Sequence, residues 1–291
     1  MKISVILPTY IRNNHDATLA SLLNQSALQD VYEIVVVVNG SEKEQETEYE
    51  NVRIFEVPWT GLNNARNFGV EKAKHEIVAF IDDDALASVS WVTALAATHS
   101  EHTAPVLGGK VIPKWPKSGK PDWVEGILLD YLSLLDYSSA PTKVHSLDWL
   151  AGTNISFKKK IFSSVGGFDS ELDRKPGILL SSGEEELCRR IRHKGYDIQY
   201  DPKLSVTHVI PSSRLTPNYF IQRAYWQGVS DYIMDSREKK VDEIKALVQK
   251  KQQELLPSPK EQNYKKSAKI ISLCAQAQRI GYLQAAISEE I

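Results

Sequence analysis

Strand-like and helix-like hydrophobic patterns alternate along the first part of the chain. Continuous apolar or β-branched runs predict buried strands at residues 3–7, 31–38, 52–57 and 76–81. Helical spacing of apolar positions predicts helices at residues 16–25 and 61–74, and Pro8 is expected to end the first strand. Strands that alternate with helices and carry apolar side chains on both faces indicate a largely parallel sheet covered by helices. The predicted fold class is α/β.

Polar residues follow the carboxyl ends of the predicted strands. They form three short segments, at residues 8–10, 39–41 and 82–84. Ligands of such sheets bind outside the carboxyl ends of the strands. We therefore expect these three segments to line one crevice.

Residues 82–84 are three consecutive aspartates directly after an apolar run. Adjacent ionised carboxylates repel each other, and a divalent cation such as Mg²⁺ or Mn²⁺ is the simplest source of opposite charge. The alternative is a solvated acidic turn in which Asp84 caps a helix that begins near Ser88.

Composition narrows the class of protein. The chain has 291 residues, 42% hydrophobic and 25% charged, which is enough for one large core with an appendage. A net charge of −2 gives no basic field, so a nucleic-acid partner is not expected. Cys188 and Cys274 are too few for a disulfide framework, and no run approaches the roughly 18 apolar residues of a membrane span. A cytoplasmic protein is expected, with the inner face of the plasma membrane as an alternative place.

Aromatic residues are common in the middle of the chain. Trp115, Trp123, Tyr131 and Tyr137 could form a platform on which a sugar ring stacks, or they could anchor a long loop on the core. Residues 216–232 predict an aromatic helix that includes Trp226, which could belong to the same platform or could dock on the sheet.

The last part of the chain, from Arg237, predicts lysine- and glutamine-rich helices with a break at residues 257–259. Basic and apolar residues between 265 and 280 give an amphipathic piece. Its apolar side could contact an anionic membrane or a second copy of the chain, or the helices could pack back on the domain.

Several of these segments together resemble one enzyme family. Residues 7–10, 38–41, 61–69 and 82–84 look like the nucleotide-binding half of family 2 inverting glycosyltransferases with the GT-A fold, of the bacterial polysaccharide-biosynthesis type. Residues 152–157, 165–169, 183–187 and 206–208 continue the family's motifs in the same order. The resemblance implies a donor-binding half at 1–110, an acceptor-binding and catalytic half at 111–235, and a helical extension at 236–291.

The implied activity is transfer of a hexose from a nucleotide-diphosphate sugar, with UDP or dTDP favoured, to a saccharide or lipid-linked acceptor. By resemblance, Asp84 is the ligand of Mn²⁺ or Mg²⁺, and Asp82 and Asp83 contact the donor. His208 either completes the metal site or is an ordinary strand histidine.

The same resemblance makes Glu185 the general base that removes the acceptor's proton. Family members usually have aspartate at this position, and Glu184 is the alternative base. Residues 184–186 are also expected to be acidic simply because they open a helix, where acids complement the helix dipole.

The remaining expected donor contacts share a place near strand ends or on the helix that follows. They are Pro8, Thr9, Tyr10, Asn39, Arg66, Gly152 and Asn154. Asn39 would read the pyrimidine edge, and Arg66 would face the diphosphate. The alternatives are a tight turn at Asn39 and a surface arginine at Arg66.

Two other functions are weighed against transfer. A sugar-phosphate nucleotidyltransferase would need a glycine-rich loop near its start, and residues 8–12 contain no glycine. A non-catalytic carbohydrate-binding relative would have no need of acids at Asp84 and Glu185.

Overall fold

A computed structural model describes residues 1–11, 15–145, 148–255 and 265–289. The strands are β1 Ile3–Tyr10, β2 Tyr32–Asn39, β3 Gln45–Tyr49, β4 Val52–Val57, β5 Ile77–Phe80, β6 Ala85–Ala87, β7 Val106–Lys114, β8 Thr142–Lys143, β9 Ile155–Lys158 and β10 Ile198–Val209. The helices are α1 Asp16–Leu23, α2 Leu62–Lys72, α3 Trp91–Glu101, α4 Ile127–Asp130, α5 Phe162–Val165, α6 Gly183–His193, α7 Pro217–Glu238, α8 Val241–Glu254 and α9 Lys266–Glu289. The predicted break at residues 257–259 lies outside the described residues.

The strands form one sheet in the order β3-β4-β2-β1-β5-β9-β7-β10-β6, with β8 beside β10. The block β4-β2-β1-β5 is parallel, as are β7 and β10, while β9 runs antiparallel to both of its neighbours. The α/β class with a mostly parallel central sheet is therefore confirmed, and helices follow the sheet near the end of the chain.

The centre of the sheet is buried. Residues 3–9 of β1 and all of β2 are buried, because these runs of branched apolar side chains are covered on both faces. The expectation that Pro8 ends the first strand is wrong, since β1 continues to Tyr10 and pairs with β2 over its full length. Pairing with β5 stops at Ile6, so Pro8 lies where β1 has a neighbour on one side and its missing N–H is tolerated.

Two strands carry no pattern that predicts them. In β3 every residue is exposed, and the strand pairs along the edge with β4. The short β6 follows the three aspartates directly and pairs with the end of β10. The helix expected near Ser88 begins at Trp91, and Asp84 does not cap it.

The chain divides into two compact units that interleave along the sequence. The first unit contains residues 1–114, 133–170 and 183–210, and the second contains 115–132, 171–182 and 211–291. The division expected from the resemblance is contiguous, with boundaries at residues 110 and 235. The units of the structure interleave, because β9 and β10 pair within the sheet of the first unit and α6 belongs to that unit.

In the second unit, α7 and α9 pack with their backbones in close approach. A Cβ atom on Gly228 would lie 1.8 Å from the carbonyl oxygen of Gln278, and one on Gly281 would lie 2.0 Å from that of Tyr225. Glycine is therefore required on both helices at this crossing. Along the described helices, no stretch is both long and apolar enough to span a membrane.

Gly228→Ala is expected to lower the free energy of unfolding by about 1–3 kcal/mol, because the new methyl group meets backbone that cannot rotate away. Urea unfolding followed by circular dichroism measures the change. The control is Gln222→Ala on the exposed side of the same helix, which should unfold near the wild-type midpoint. Equal midpoints for Gly228→Ala and wild type would contradict the close packing.

Candidate functional site

The three aspartates form the turn between β5 and β6, at the carboxyl end of β5. The turn is closed by a hydrogen bond from the backbone N–H of Ala85 to the carbonyl oxygen of Asp82, 3.1 Å. Each carboxylate has a different partner. Asp82 accepts from Arg66 at 3.2 Å, Asp83 accepts from the Thr9 hydroxyl at 2.7 Å, and Asp84 lies 3.2 Å from His208 Nε2.

The pairing of β6 with β10 brings Asp84 to His208. The register sets His208 opposite Ala85, and the N–H of Val209 donates to the carbonyl oxygen of Asp84 at 2.8 Å. His208 is 4% exposed, while 28% of the Asp84 side chain is exposed, so the carboxylate is the part that a ligand can reach.

The Asp84 and His208 pair has a spacing that fits a shared cation. Ligand atoms at about 2.1 Å from an octahedral Mg²⁺ lie about 3 Å apart when they are adjacent, close to the 3.2 Å between Asp84 Oδ1 and His208 Nε2. Among the described residues, no cluster of three or more His, Cys, Asp or Glu is arranged to hold a metal. A cation here would therefore take its other ligands from water and phosphate oxygens, which is common for Mg²⁺.

Arg66 is a buried charge on α2 and joins two acidic segments. It is 2% exposed, donates to Asp82, and donates through Nη1 to Glu184 at 3.4 Å. Its guanidinium carbon also lies 5.4 Å from the centre of the Phe168 ring, a cation–π distance. Arg66 was predicted to face the diphosphate as a charged fork. In the structure the fork holds two carboxylates, and its contact with a diphosphate stays a prediction.

Gly152 lies against the guanidinium of Arg66. A Cβ atom at this position would lie 2.4 Å from Arg66 Nη2, so the absence of a side chain makes room for the guanidinium. The approach of the Gly152 backbone to a donor sugar stays a prediction.

Burial raises the pKa of Asp82, and the charge of Arg66 opposes that shift. Asp84 and Glu184 raise the pKa of Asp82 further because they are negative neighbours. Arg66 is thus the neighbouring cation that favours the ionised form of this carboxylate.

The three glutamates at the start of α6 have different hydrogen-bond partners. Glu184 accepts from Arg66, whereas Glu185 accepts from Arg189 at 2.7 Å and Glu186 accepts from Arg190 at 2.6 Å, each one turn along the helix. The structure therefore groups Glu184 with the aspartate turn and holds Glu185 in a pair on its own helix.

The three residues at the end of β1 differ in exposure. Pro8 and Thr9 are buried, and Tyr10 is partly exposed. The ring of Tyr10 lies over Gly40, where an added Cβ would meet it at 2.6 Å and where φ is +79°. Glycine in the turn after β2 therefore lets the tyrosine ring close over the backbone.

Asn39 is 6% exposed and links three backbone segments. Its Nδ2 donates to the carbonyl oxygen of Thr9 at 2.7 Å, and its Oδ1 accepts from the N–H of Gly61 at 3.3 Å. These contacts favour the alternative in which Asn39 holds the turn and the start of α2.

The side chain of Asn154 is buried and hydrogen-bonded within the protein. It is 1% exposed, accepts from the Trp91 indole at 2.9 Å, and donates to the carbonyl oxygens of Lys110 and Leu204 at 2.9 and 2.8 Å. Both amide hydrogens are used within the protein. These hydrogen bonds tie the sheet to α3, and the contact of Asn154 with a donor sugar stays a prediction.

The tryptophans expected at an acceptor platform, Trp115, Trp123 and Trp226, belong to the second unit. Trp123 packs edge to face on Phe220 at 5.7 Å, and Trp226 packs in the same way on Tyr225 at 5.5 Å. These contacts support the anchoring alternative for Trp123, and all three tryptophans are partly exposed.

Sequence reasoning missed the polar face of α2. Asn63 donates to the carbonyl oxygen of Asp169, and Asn67 exchanges two hydrogen bonds with the backbone of Phe168. The signal was present, because Asn63, Arg66 and Asn67 are spaced to share one face of a helix that is otherwise partly apolar.

Comparison with known proteins places this arrangement in a family. The sequence model described as "Glycosyl transferase family 2" matches residues 4–164, more than half of the chain. The chain belongs to glycosyl transferase family 2. The matched residues include the ends of β1 and β2, all of α2 and the aspartate turn.

One curated family 2 relative is the "Glucosyl-dolichyl phosphate glucuronosyltransferase" of Haloferax volcanii. It is 30% identical over 247 residues, which cover 81% of this chain and 78% of the relative. This similarity extends beyond the residues that the family model matches.

Solved family structures share the fold. TarS 1-349 of S. aureus in complex with UDP has a TM-score of 0.52 at 17% identity, covering 100% of this chain and 91% of that one. The mannosyltransferase PcManGT from Pyrobaculum calidifontis, in complex with GDP-Man and Mn²⁺, has a TM-score of 0.55 at 17% identity, covering 99% and 75%. These likenesses confirm the GT-A fold.

Arg66→Met is expected to lower the free energy of unfolding at pH 7 by about 3 kcal/mol, because it leaves two carboxylates without their buried partner. The raised pKa of Asp82 means that the folded chain keeps this proton longer than the unfolded chain does, so stability falls as the pH rises above 3.8. Without Arg66 the pKa of Asp82 rises further, so the free energy of unfolding of Arg66→Met should keep falling to a higher pH than that of the wild type. Urea unfolding at pH 5, 6 and 7 measures it.

The control is Arg189→Met, which removes the exposed pair with Glu185 and should cost under about 1 kcal/mol at every pH. Parallel pH profiles for Arg66→Met and wild type would contradict the assigned role of Arg66.

Proposed function

We propose that this family 2 glycosyltransferase moves a sugar from a nucleotide-diphosphate donor to a saccharide or lipid-linked acceptor with inversion, using a divalent cation and a glutamate base. The observation that carries the proposal is the set of groups at the carboxyl end of β5. A partly exposed carboxylate beside a histidine can hold a cation, and a second carboxylate, Glu184, is linked to the same turn through Arg66.

The relatives support the donor and acceptor classes. The similar solved structures hold UDP in one case and GDP-Man with Mn²⁺ in the other, so the cation and the diphosphate occur together in this fold. The name of the Haloferax volcanii relative includes a dolichyl phosphate, a lipid-linked phosphate. We therefore favour a lipid-linked acceptor, and a donor screen should contain uridine, thymidine and guanosine diphosphate sugars.

In the proposed mechanism, Asp84 and His208 would hold the cation, which supplies positive charge to the leaving diphosphate. Thr9 and Arg66 keep Asp83 and Asp82 in fixed positions on either side of the turn. Tyr10, partly exposed at the end of β1, offers a ring on which the nucleobase can stack. We assign donor binding to the first unit, which contains all of these residues.

Glu184 is the better candidate for the general base. It accepts the proton of the acceptor hydroxyl as the hydroxyl oxygen attacks the sugar carbon from the side opposite the diphosphate. Its side chain is 21% exposed and its carboxylate is directed to the aspartate turn by Arg66. Glu185, the base expected from the resemblance, is committed to Arg189. The acceptor-binding role of Trp115, Trp123 and Trp226 in the second unit stays a prediction.

Glu184→Gln should reduce sugar transfer by about 10²- to 10⁴-fold with donor affinity near wild type, because glutamine keeps the size and much of the hydrogen bonding but cannot take the proton. Glu185→Gln is the matched control on the next residue and should retain most of the activity. Single-turnover transfer and donor titration measure both variants. If Glu185→Gln is the variant that loses transfer, the base is Glu185.

Asp84→Asn should abolish most of the Mn²⁺-dependent affinity for the nucleotide while the fold is kept, because it removes the charge that a cation requires. Isothermal titration of nucleoside diphosphate with and without Mn²⁺ measures it. Asp197→Asn, which changes a surface acid paired with Lys143, is the control and should titrate as wild type. Unchanged Mn²⁺ dependence in Asp84→Asn would exclude this carboxylate as the metal ligand.

A further inference from the structure

A cavity lies on the surface of the second unit, between α7, α9 and the segment at residues 177–179. Its volume is about 520 Å³, which is in the range of sites that bind small molecules. The lining residues all belong to the second unit. Most of them are apolar or aromatic: Leu179, Ile221, Tyr225, Trp226, Ala277 and Ile280.

The side chains of this lining offer little to a hydrogen-bonding ligand. Gln222 contributes an amide, and the hydroxyl of Tyr225 already donates to the Gln284 side chain at 3.0 Å. A saccharide carries many hydroxyl groups, and those left unpaired against apolar walls would weaken its binding. The lining therefore suits an apolar chain better than a sugar.

An apolar strip leads from the cavity along α9 toward the start of that helix. Ile280, at the cavity, is 46% exposed, and Leu273 is 39% exposed. Residues seven apart lie two turns apart on one helix face, a distance of roughly 10 Å. Two large apolar side chains are thus in water on the same side of α9, where an apolar ligand would cover them.

Two lysines begin the same face of α9. Lys269 is four residues before Leu273, and Lys266 is seven residues before it. Lys266 Nζ lies 5.4 Å from the centre of the Trp123 ring, and no acid in the part of the chain that the structure describes forms an ion pair with either lysine. Their charges add to the positive end of the helix dipole, so this end of the strip attracts an anion.

We propose that the second unit binds a lipid phosphate, with its apolar chain in the cavity and its phosphate at Lys266 and Lys269. Along α9, Lys269 lies about 12 Å from Ala277 in the cavity wall, so the anion and the chain occupy different parts of one strip. The inference rests on the proposed function for the lipid-linked acceptor, and it names the residues that hold the lipid.

The first measurement is isothermal titration of the full chain with farnesyl phosphate, a short isoprenoid lipid phosphate. Ile280→Ser is expected to weaken binding about 10-fold, because it removes apolar contact with the chain. Ile287→Ser is the matched control. It makes the same change seven residues further along α9, at a position that is 56% exposed and outside the cavity lining, and should bind as wild type. Absence of binding by the wild type, or an equal loss in both variants, would overturn the proposal.

The second measurement tests the phosphate end of the site. Lys269→Gln is expected to weaken farnesyl phosphate about 2- to 5-fold, as for an exposed ion pair, and to leave the affinity for uncharged farnesol unchanged. Lys250→Gln on α8 is the control and should bind both compounds as wild type. An equal loss for farnesol and farnesyl phosphate in Lys269→Gln would contradict the assignment of the phosphate to this lysine.

Two other occupants of the strip give different results. If a second copy of the chain covers it, light scattering will show a wild-type dimer that Ile280→Ser converts to a monomer. If the strip lies on a membrane, vesicles of phosphatidylglycerol will displace farnesyl phosphate, and Ile280→Ser and Ile287→Ser will weaken vesicle binding equally. Either result would overturn the proposal.

The titration is independent of sugar transfer, so the two proposals can fail separately. A chain that glycosylates a lipid-linked acceptor without binding farnesyl phosphate would refute the cavity as the lipid site and leave the proposed function standing. A chain that binds farnesyl phosphate through Ile280 and transfers no sugar from any donor would refute the proposed function and leave the lipid site standing.

Discussion

The buried charge of Arg66 is the constraint on which the rest of the site depends. A guanidinium removed from water is tolerated when carboxylates surround it, and here Asp82 and Glu184 supply them from segments far apart in sequence. The buried guanidinium also constrains residues outside the two ion pairs. Gly152 has no side chain because the guanidinium fills that space, and Phe168 offers the face of its ring to the same charge. One residue on α2 therefore fixes the relation of the aspartate turn to α6.

Arg66 pairs with Asp82, and two more carboxylates lie beside that pair. Asp83 and Asp84 follow Asp82 in the same turn, where Asp83 accepts from the Thr9 hydroxyl and Asp84 lies beside the buried His208. A nucleotide diphosphate brings further negative charge, so its approach to this turn would be repulsive without a cation. Within the turn, Arg66 pairs with Asp82, and Asp84 lies beside His208 on the strand that pairs with β6.

The sequence predicts the framework better than it predicts where side chains point. Buried runs such as those of β1, β2 and β4 are recognisable because both faces of each strand are apolar, whereas β3 is wholly exposed and has no such signal. Motifs place Asn39 and Asn154 near the carboxyl ends of strands, but their partners include Gly61, Trp91 and Leu204, which only the folded chain brings near. A polar residue close to a ligand crevice can equally serve the backbone that shapes the crevice, and local sequence cannot separate the two.

The acidic run at the start of α6 shows how packing resolves such an ambiguity. Adjacent residues of a helix point about 100° apart, so neighbouring glutamates cannot both face Arg66. The rotation of α6 is set by its buried side, where Leu187 and Ile191 are fully covered. Given that rotation, Glu185 and Glu186 each meet an arginine one turn later on the same helix, and Glu184 is the acid left facing the aspartate turn. The hydrophobic positions of the helix thereby select which carboxylate faces the aspartate turn.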